Sequence, residues 1–327
     1  MIVSIRKFVC GFFSAVAFLF VTVGGAAAQS WPSKPIRFIV PYPPGGGTDI
    51  VARLIAPKLA ESLGQAVVVD NKPGASTIIG TEMLAKAAPD GHTFGMITDS
   101  HAINPNFFPK LPYDSLKDFE PVSQLVFVPF VLIAKPALQI KSVGDLIALA
   151  KAQPGKLNYA SIGNGTPHYL AMEWFKSLSG TELTHVPYKG VAPAVTDVVA
   201  GQVDVMFTGI SSGLPHIKAG KLAGLAVSSP KRQGAAPEIP TVSESGLSDF
   251  VFMTWYGSAF PAGTPKDIVA RMSHEVARAL NQPDVRARLA ALGVEAAPST
   301  PGEFAAFMKR EAGTYTRIIK TTGAKGE

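Results

Sequence analysis

The sequence predicts an α/β protein with two lobes. A hydrophobic content of 47% over 327 residues allows a sizeable buried core, and this length favours two lobes over one. Strand and helix patterns alternate along the chain, which is typical of mainly parallel sheets flanked by helices. The order strand, glycine-rich loop, helix start occurs at residues 36–50 and again at residues 157–178. Each lobe is therefore predicted to present a glycine loop at a helix N-terminus.

The first glycine loop, residues 41–49, follows the apolar run 36–40 and leads into a helical pattern. Glycines let the backbone approach a ligand closely, and the free N–H groups of a helix start favour negative charge. An anion is therefore expected to bind at this loop. The loop alone leaves open whether that anion is transferred, cleaved or only held.

Alternating helices and strands follow the first loop. Apolar residues at helical spacing predict a helix that ends at Gly64. Strands are predicted at residues 66–69 and 94–98, on either side of a helix at residues 77–87. This order predicts a parallel sheet that binds ligands at the carboxyl ends of its strands.

A proline-rich stretch leads to the second lobe. Residues 104–121 hold four prolines and are interpreted as a long surface connection. The apolar stretch 122–134, interrupted by Pro129, is interpreted as the strand that enters the second lobe. Ser142 and Asp145 then predict a capping box at the start of the next helix.

The second lobe repeats the pattern of the first. A strand at residues 157–161 leads into the second glycine loop, residues 163–168, and a helix that ends before Gly180. The remaining predicted elements are a helix at 192–200, a strand at 203–207, a loop at 208–213, a strand at 222–227, a strand at 252–260 that returns to the first lobe, and helices at 266–280, up to 292, and from a capping box at 300–303 to about residue 319.

The first 28 residues have the pattern of a secretory signal peptide. Arg6 and Lys7 precede an apolar stretch at residues 8–23, and a small-residue cleavage site ends at Ala28. We therefore expect export and cleavage after Ala28. The chain holds a single cysteine, Cys10, so the mature protein has no cysteine and neither disulfide nor thiolate chemistry is open to it.

Charge does not indicate a nucleic-acid partner. Loss of Arg6 and Lys7 with the signal peptide leaves 28 basic against 24 acidic residues. The basic residues are scattered and are not interleaved with aromatic residues, as a nucleic-acid surface would require.

The first glycine loop lacks the features of a nucleotide site. No lysine stands where a phosphate-binding P-loop requires one, because residues 48–51 after the glycines are Thr, Asp, Ile and Val. The spaced glycines of a dinucleotide site are also missing. Neither a cofactor nor phosphoryl transfer is expected.

Serine hydrolysis and metal binding are two further chemistries on which the sequence bears. Gly209, Ser211 and Gly213 satisfy the serine hydrolase pattern G-x-S-x-G, with His216 and His274 downstream, so a secreted hydrolase using Ser211 is an alternative hypothesis. The six histidines show no metal-binding spacing, and no metal site is expected.

Several side chains near the predicted loops have two possible roles each. Asp49, in the first turn of its helix, can pin the glycine loop or contact ligand. His101 and His168 flank the loops and either touch ligand or cap their own turns. Tyr42, Tyr188 and Trp255 either wall a pocket or pack in the core; Tyr42 and Tyr188 are included among the candidate site residues.

Nine segments together resemble a known family. Residues 41–49 read Pro-Tyr-Pro-Pro-Gly-Gly-Gly-Thr-Asp, and the other matching segments are residues 71–75, 88–91, 101–104, 158–161, 163–166, 185–190, 215–222 and 240–246. Together they resemble the Bug-type receptors, the TctC-like periplasmic substrate-binding proteins of tripartite tricarboxylate transporters. The resemblance covers nearly the whole mature chain in order.

The resemblance implies a two-lobed Venus-flytrap of the type II periplasmic binding protein fold, without catalysis. Such receptors hold the carboxylate of a small organic acid between backbone amides and ordered waters. The implied ligand-binding residues of the first lobe are Tyr42, Pro43, Gly45, Gly46, Thr48, Asp49, Gly74, Ala75 and Ser76. Those of the second lobe are Ser161, Gly163, Asn164, Thr166, His168, Tyr188 and Thr208. Many relatives carry an acidic or amide residue in place of Thr208, so this position does not predict recognition of a ligand amino group.

The resemblance also implies an organisation and partners. Residues 29–128 and 253–327 are expected to form the first lobe, and residues 129–252 the second. The expected partners are a small carboxylate ligand and the membrane permease subunits of the transporter, and a monomer is expected. An exported sensor that reports its ligand to a membrane signalling partner is a further alternative.

Overall fold

The computed structural model of the protein describes residues 31–326, and the predicted signal peptide lies outside these residues. The strands in this part of the chain are β1 (Ile36–Val40), β2 (Val67–Asn71), β3 (Thr93–Thr98), β4 (Phe119–Ala134), β5 (Asn158–Ser161), β6 (Thr184–Pro187), β7 (Val205–Gly209), β8 (Ala223–Val227), β9 (Met253–Pro261) and β10 (Glu295–Ala296).

The α-helices are α1 (Gly47–Leu63), α2 (Ile78–Ala85), α3 (Asp99–Phe107), α4 (Val143–Ala152), α5 (Pro167–Ser179), α6 (Val191–Val199), α7 (Ile210–Lys218), α8 (Lys266–Leu280), α9 (Pro283–Ala291) and α10 (Pro301–Thr322). Within residues 31–326, none of these helices has both the length and the apolar character needed to cross a bilayer.

The strands form a mixed sheet in the order β2-β1-β3-β9-β4-β7-β5-β6, and β8 and β10 both pair with β4. Strand β1 is parallel to β2 and β3, and β5 is parallel to β6 and β7. The antiparallel pairs all involve β4 or β9. The predicted two-lobed α/β architecture with a mixed sheet and flanking helices is confirmed, but the sheet is not mainly parallel, because five of its nine described strand pairs are antiparallel.

Strand β4 runs through both halves of the molecule. Its first part, Phe119 to Pro129, pairs with β9, and its second part, from Phe130, pairs with β7. Pro129 lies where β4 changes its pairing partner, opposite Met253, the first residue of β9. Because proline lacks an N–H group, it is tolerated best where ladder pairing ends or changes partner.

Apolar side chains fill the space between sheet and helices on both sides. The β1 and β3 rings of Phe38 and Phe94 stack with centroids 4.2 Å apart, and Phe207 of β7 stacks on Phe250 at 5.3 Å. All four rings are fully buried. This packing fixes the strand ends from which the glycine loops emerge.

Two helices were not predicted. Helix α3 occupies the start of the predicted surface connection despite Pro105, because Ile103 and Phe107 are buried in the core and this packing outweighs the local penalty of proline. Helix α7 replaces the loop predicted at residues 208–213. A Cβ added to its Gly213 would lie 2.8 Å from Val131, so the small residues allow a helix to pack directly on β4.

The predicted helix termini agree with the structure in most places. The capping boxes at Ser142 and Thr300 are both formed. Thr264 has the residue type of an N-cap but does not cap α8, because its hydroxyl donates to the Pro261 carbonyl and the helix begins after Pro265.

Candidate ligand-binding site

The two lobes face each other across an inner cavity of about 70 Å³. Five helices begin at this cavity: α1, α3, α5, α6 and α7. The residues from these helix starts that line it are Gly46, Gly47, Thr48, Asp99, Pro167, His168, Gly190, Val191, Ala192, Pro193, Gly209 and Ser212. The remaining lining residues are Tyr42, Pro43, Pro44, Phe130, Ile162, Thr254 and Tyr256.

None of these five helices has a side-chain cap at its N-terminus. The two capping boxes belong instead to α4 and α10, which begin outside the cavity. Uncapped helix starts leave backbone N–H groups without a partner and carry the positive end of the helix dipole. The cavity therefore combines several donors for one negatively charged group.

A buried carboxylate holds the first glycine loop in place. The Gly45 amide donates to Asp49 Oδ2 at 3.0 Å, and Arg53 and Asn71 donate to the same carboxylate. Burial alone would raise the pKa of Asp49, but these hydrogen bonds bring it below its usual value. Gly45 takes φ +83°, which glycine adopts without strain. Asp49 therefore acts on the loop and does not line the cavity.

The second glycine loop is also held from beneath. Ser161 is buried; its hydroxyl lies 2.6 Å from His185 Nε2 and accepts from the Gly163 amide at 3.1 Å. Thr166 donates from its hydroxyl to the Gly163 carbonyl at 2.5 Å. These contacts close a tight turn immediately before α5.

An outer cavity of about 620 Å³ lies between the two loops and the segment 73–77. Ala75, Ser76 and Thr77 all have positive φ, an uncommon run for residues other than glycine. Ser76 donates from its hydroxyl to the Asn164 carbonyl of the opposite lobe at 2.7 Å. The two lobes thus touch beside this cavity.

The predicted site residues fall into three groups. Those that line the inner cavity are Tyr42, Pro43, Gly46, Thr48 and His168. Those that line the outer cavity are Tyr42, Pro43, Gly74, Ala75, Ser76, Gly163, Thr166 and Tyr188. Those that line neither cavity are Gly45, Asp49, Ser161, Asn164 and Thr208.

The hydrogen bonds of His101 and Tyr188 show how each side chain is held. His101 is buried away from both cavities, with Nε2 2.6 Å from the Ser115 carbonyl. Tyr188 donates to Asp197 at 2.7 Å while its side chain lines the outer cavity.

Sequence reasoning missed several residues of the inner cavity. Asp99 and Tyr256 lie on β3–α3 and β9, and residues 190–193 form the start of α6. Asp99 follows a buried strand directly, and this position in a sequence indicates a residue at the ligand-binding edge of a sheet. Gly190 directly before an apolar helix likewise indicates a helix start that could face a ligand. The position of Tyr256 at the cavity could not be predicted locally, because it depends on β9, which pairs with strands from much earlier in the chain.

The inner cavity contains no basic side chain among its described lining residues. Burial lowers the pKa of His168 to about 3, so its imidazole is neutral, and its ring packs 4.8 Å from that of Phe130. Burial raises the pKa of Asp99 to about 7 and raises that of Tyr256. A ligand anion here would be held by backbone dipoles and not by a salt bridge.

The geometry gives no support to a serine nucleophile at Ser211. Its hydroxyl is buried and has no hydrogen-bond partner among residues 31–326, whereas a serine nucleophile needs a base within hydrogen-bond reach. Neither His216 nor His274 contacts it through a hydrogen bond. The described residues also contain no group of histidine, cysteine and acidic side chains suited to a metal ion.

Two glycine loops, a sheet strand shared by both halves and a cavity between them define a two-lobed solute-binding protein. Comparison with known proteins gives the family. The family model described as the tripartite tricarboxylate transporter family receptor, TctC, matches residues 51–324, and the chain belongs to this family. The family consists of periplasmic solute-binding receptors and not of enzymes.

Individual relatives are similar over nearly their whole length. Protein BugT of Bordetella pertussis is 37% identical over 317 residues, which cover 95% of this chain and 97% of BugT. The structure described as "R. palustris Rpa4515 with adipate" is 34% identical, with a TM-score of 0.88 over 91% of this chain and 100% of that one. MatC from Rhodopseudomonas palustris with bound malate is 34% identical, with a TM-score of 0.84 over 88% of this chain and 100% of that one.

Proposed function

We propose that the protein binds a small carboxylate-bearing compound in the inner cavity and delivers it to the membrane permease subunits of a tripartite tricarboxylate transporter. The observation that carries this proposal is the convergence of five uncapped helix starts on a cavity without a basic side chain. Backbone N–H groups at helix starts bind carboxylates through hydrogen bonds and the helix dipole.

The relatives support a carboxylate ligand. Adipate and malate, named in the structures of two similar proteins, are both small organic acids with carboxylate ends. One carboxylate would accept hydrogen bonds from the N–H groups at the helix starts of the inner cavity. The rest of such a molecule would extend toward the outer cavity. The ligand-contacting residues that we propose are Tyr42, Pro43, Gly46, Thr48, His168 and the start of α6, with Gly74, Ala75, Ser76, Gly163, Thr166 and Tyr188 around the outer cavity.

The remaining predicted site residues have supporting positions in this proposal. Gly45 and Asp49 shape the first loop, and Ser161 and Asn164 shape the second. Thr208 lies at the end of β7, directly before the start of α7.

We further propose that the chain is exported, is cleaved near Ala28 and acts as a monomer. Residues 29–128 with 253–327 would move as one lobe and residues 129–252 as the other. A ligand that contacts both lobes binds the closed form better than the open form, so it would shift the population toward closure.

A proline substitution in α6 tests the proposed role of backbone amides. Val191 is the first residue of α6, a position at which proline fits a helix. Val191→Pro removes one N–H group at the cavity. We expect affinity for carboxylates to fall tenfold or more, because a hydrogen bond to a charged group contributes about 1.5–3 kcal/mol.

Calorimetric titration of residues 29–327 with a panel of small mono- and dicarboxylates, including adipate and malate, provides the measurement. Val191→Ala, which shortens the same side chain and keeps the amide, separates the loss of the N–H group from the loss of side-chain contacts. Equal affinity of the two variants would contradict the proposed role of this helix start, and a wild-type protein that binds no carboxylate would contradict the proposed function.

A further inference from the structure

Asp99 is a buried acid at the inner cavity that has no cationic partner among the described residues. It is the first residue of α3 and has no exposed surface, yet it lines the cavity. Neither of its carboxylate oxygens accepts a hydrogen bond from a residue within 31–326. A buried carboxylate without partners is costly, so a group that reaches it through the cavity would be bound strongly.

The groups around Asp99 compensate its charge only in part: burial raises its pKa to about 7, although the nearby Thr254 hydroxyl and Ser100 amide act to lower it. Tyr42 uses its hydroxyl on Thr98 and Ser100, at 2.8 and 3.1 Å. His168 is neutral because burial lowers the pKa of its imidazole to about 3.

The other titratable groups that act on Asp99 carry no positive charge. They are Tyr256 on β9, and Tyr315 and Glu311 on α10. Glu311 acts on Asp99 by repulsion. The start of α3 offers Asp99 only the partial positive charge of a helix dipole, so a full counter-charge would come from the ligand.

The cavity walls suit a cationic group beside Asp99. Tyr42, Phe130 and Tyr256 all line the cavity, and aromatic faces attract cations. An ammonium group offers N–H donors to the unpartnered oxygens and also balances the charge of the carboxylate. A neutral hydroxyl would offer one donor and leave the charge uncompensated. A second ligand carboxylate would add a negative charge beside the first.

We propose that Asp99 binds the protonated amine of an amino-carboxylate ligand, whose carboxylate lies at the uncapped helix starts of the same cavity. This inference rests on the proposed function and names the ligand class more closely: the cavity selects amino-carboxylates over carboxylates of the same length without an amine. The bound molecule supplies one positive and one negative charge, each with its own site.

The ligand class determines how affinity changes with pH. Burial raises the pKa of Asp99 to about 7 in the empty cavity, so an amine binds the ionised fraction and competes with the proton. With only that fraction competent, affinity for an amino-carboxylate falls about 30-fold between pH 8 and pH 5.5. A dicarboxylate that bound beside protonated Asp99 would show the opposite trend.

Calorimetry with paired ligands tests the inference on residues 29–327. Each probe pair consists of an amino-carboxylate and its analogue without the amine, such as 6-aminohexanoate with hexanoate and glutamate with glutarate. We expect the wild-type protein to bind the better amino-carboxylate at least tenfold more tightly than its analogue. Asp99→Asn, which keeps the shape of the side chain, should lose that preference and the pH dependence, whereas Asp249→Asn on the exposed surface should keep both.

Two results would overturn the inference while leaving the proposed function intact. One is an unchanged preference in Asp99→Asn. The other is a wild-type protein that prefers the analogues or dicarboxylates with affinity that rises toward pH 5.5, because Asp99 would then act as a protonated donor. This second result is read on the wild-type protein alone and does not depend on the folding of the variant. A failure to bind either member of every pair would overturn the proposed function as well.

Discussion

Asp49 and Asp99 are both buried in the first turn of a helix beside the cavity, but their surroundings are opposite. Asp49 accepts hydrogen bonds from the Gly45 amide, Arg53 and Asn71. Asp99 accepts none from the described residues. Asp49 therefore stabilises the loop, whereas the carboxylate oxygens of Asp99 can still accept hydrogen bonds from a bound molecule.

Asp49→Ala is expected to reduce the free energy of unfolding by about 1–3 kcal/mol at pH 7, because it leaves the Gly45 amide and Arg53 without their buried acceptor. The pKa of Asp49 is lowered in the folded protein. Its stabilisation is therefore present above the unfolded pKa, about 3.9, and is lost as pH falls through the lower folded pKa. Urea unfolding at pH 7 and at pH 2.5 measures both effects.

Asp267 provides the matched control for Asp49. It also lies in the first turn of a helix, but it is exposed on α8. Asp267→Ala should cost less than about 1 kcal/mol. Equal losses for the two variants would show that Asp49 contributes only through the helix dipole and does not hold the loop.

Among the elements, the start of α1 is packed so closely that only glycine fits at its first position. A Cβ on Gly47 would lie 2.8 Å from the Tyr256 hydroxyl oxygen and 3.3 Å from Ser211 Oγ. The glycine thus brings a helix start of one loop against a strand and a helix from later in the chain. Glycine is needed at position 47 because Tyr256 and Ser211 lie so close to it, and not because of an unusual backbone conformation.

Gly47→Ala is expected to destabilise the protein by about 1–3 kcal/mol through overpacking and to weaken carboxylate binding, since the start of α1 must move. Removing the clashing hydroxyl with Tyr256→Phe in the same chain should restore part of the stability. Gly302→Ala, in the first turn of α10 with nothing within 4 Å of the added atom, should be neutral or slightly stabilising. Thermal unfolding and calorimetry follow both properties; a Gly47→Ala protein as stable as Gly302→Ala would refute the packing argument.

The sequence predicted elements well where local signals and packing agree. The Ser142 and Thr300 capping boxes form as expected, and both glycine loops stand between a strand and a helix. Helix α7 was missed because Ser211, Ser212 and Gly213 have weak helical preference, and only contact with β4 favours the helix.

The site was predicted least well where it depends on distant parts of the chain. Asp99 looks like an ordinary turn residue in sequence. Its burial depends on β9 and α10, which lie more than 150 residues further along. The convergence of five helix starts is likewise a property of the fold and not of any one motif.

At the scale of the whole molecule, the two lobes touch around the cleft. Ser76 bonds to Asn164, and a Cβ on Gly190 would lie 3.0 Å from Pro43 of the other lobe. The side-chain amide of Asn164 also donates to the Lys325 carbonyl at 3.3 Å, beyond the end of α10. The inner cavity is therefore enclosed by groups from both lobes, as a receptor that closes over its ligand requires.

A crystal structure of residues 29–327 with a bound carboxylate tests this account most directly. We expect carboxylate oxygens about 3 Å from backbone amide nitrogens at the starts of α1 and α6, with no lysine or arginine in contact. A carboxylate bound in the outer cavity and paired with Lys189, with the helix starts unoccupied, would contradict it.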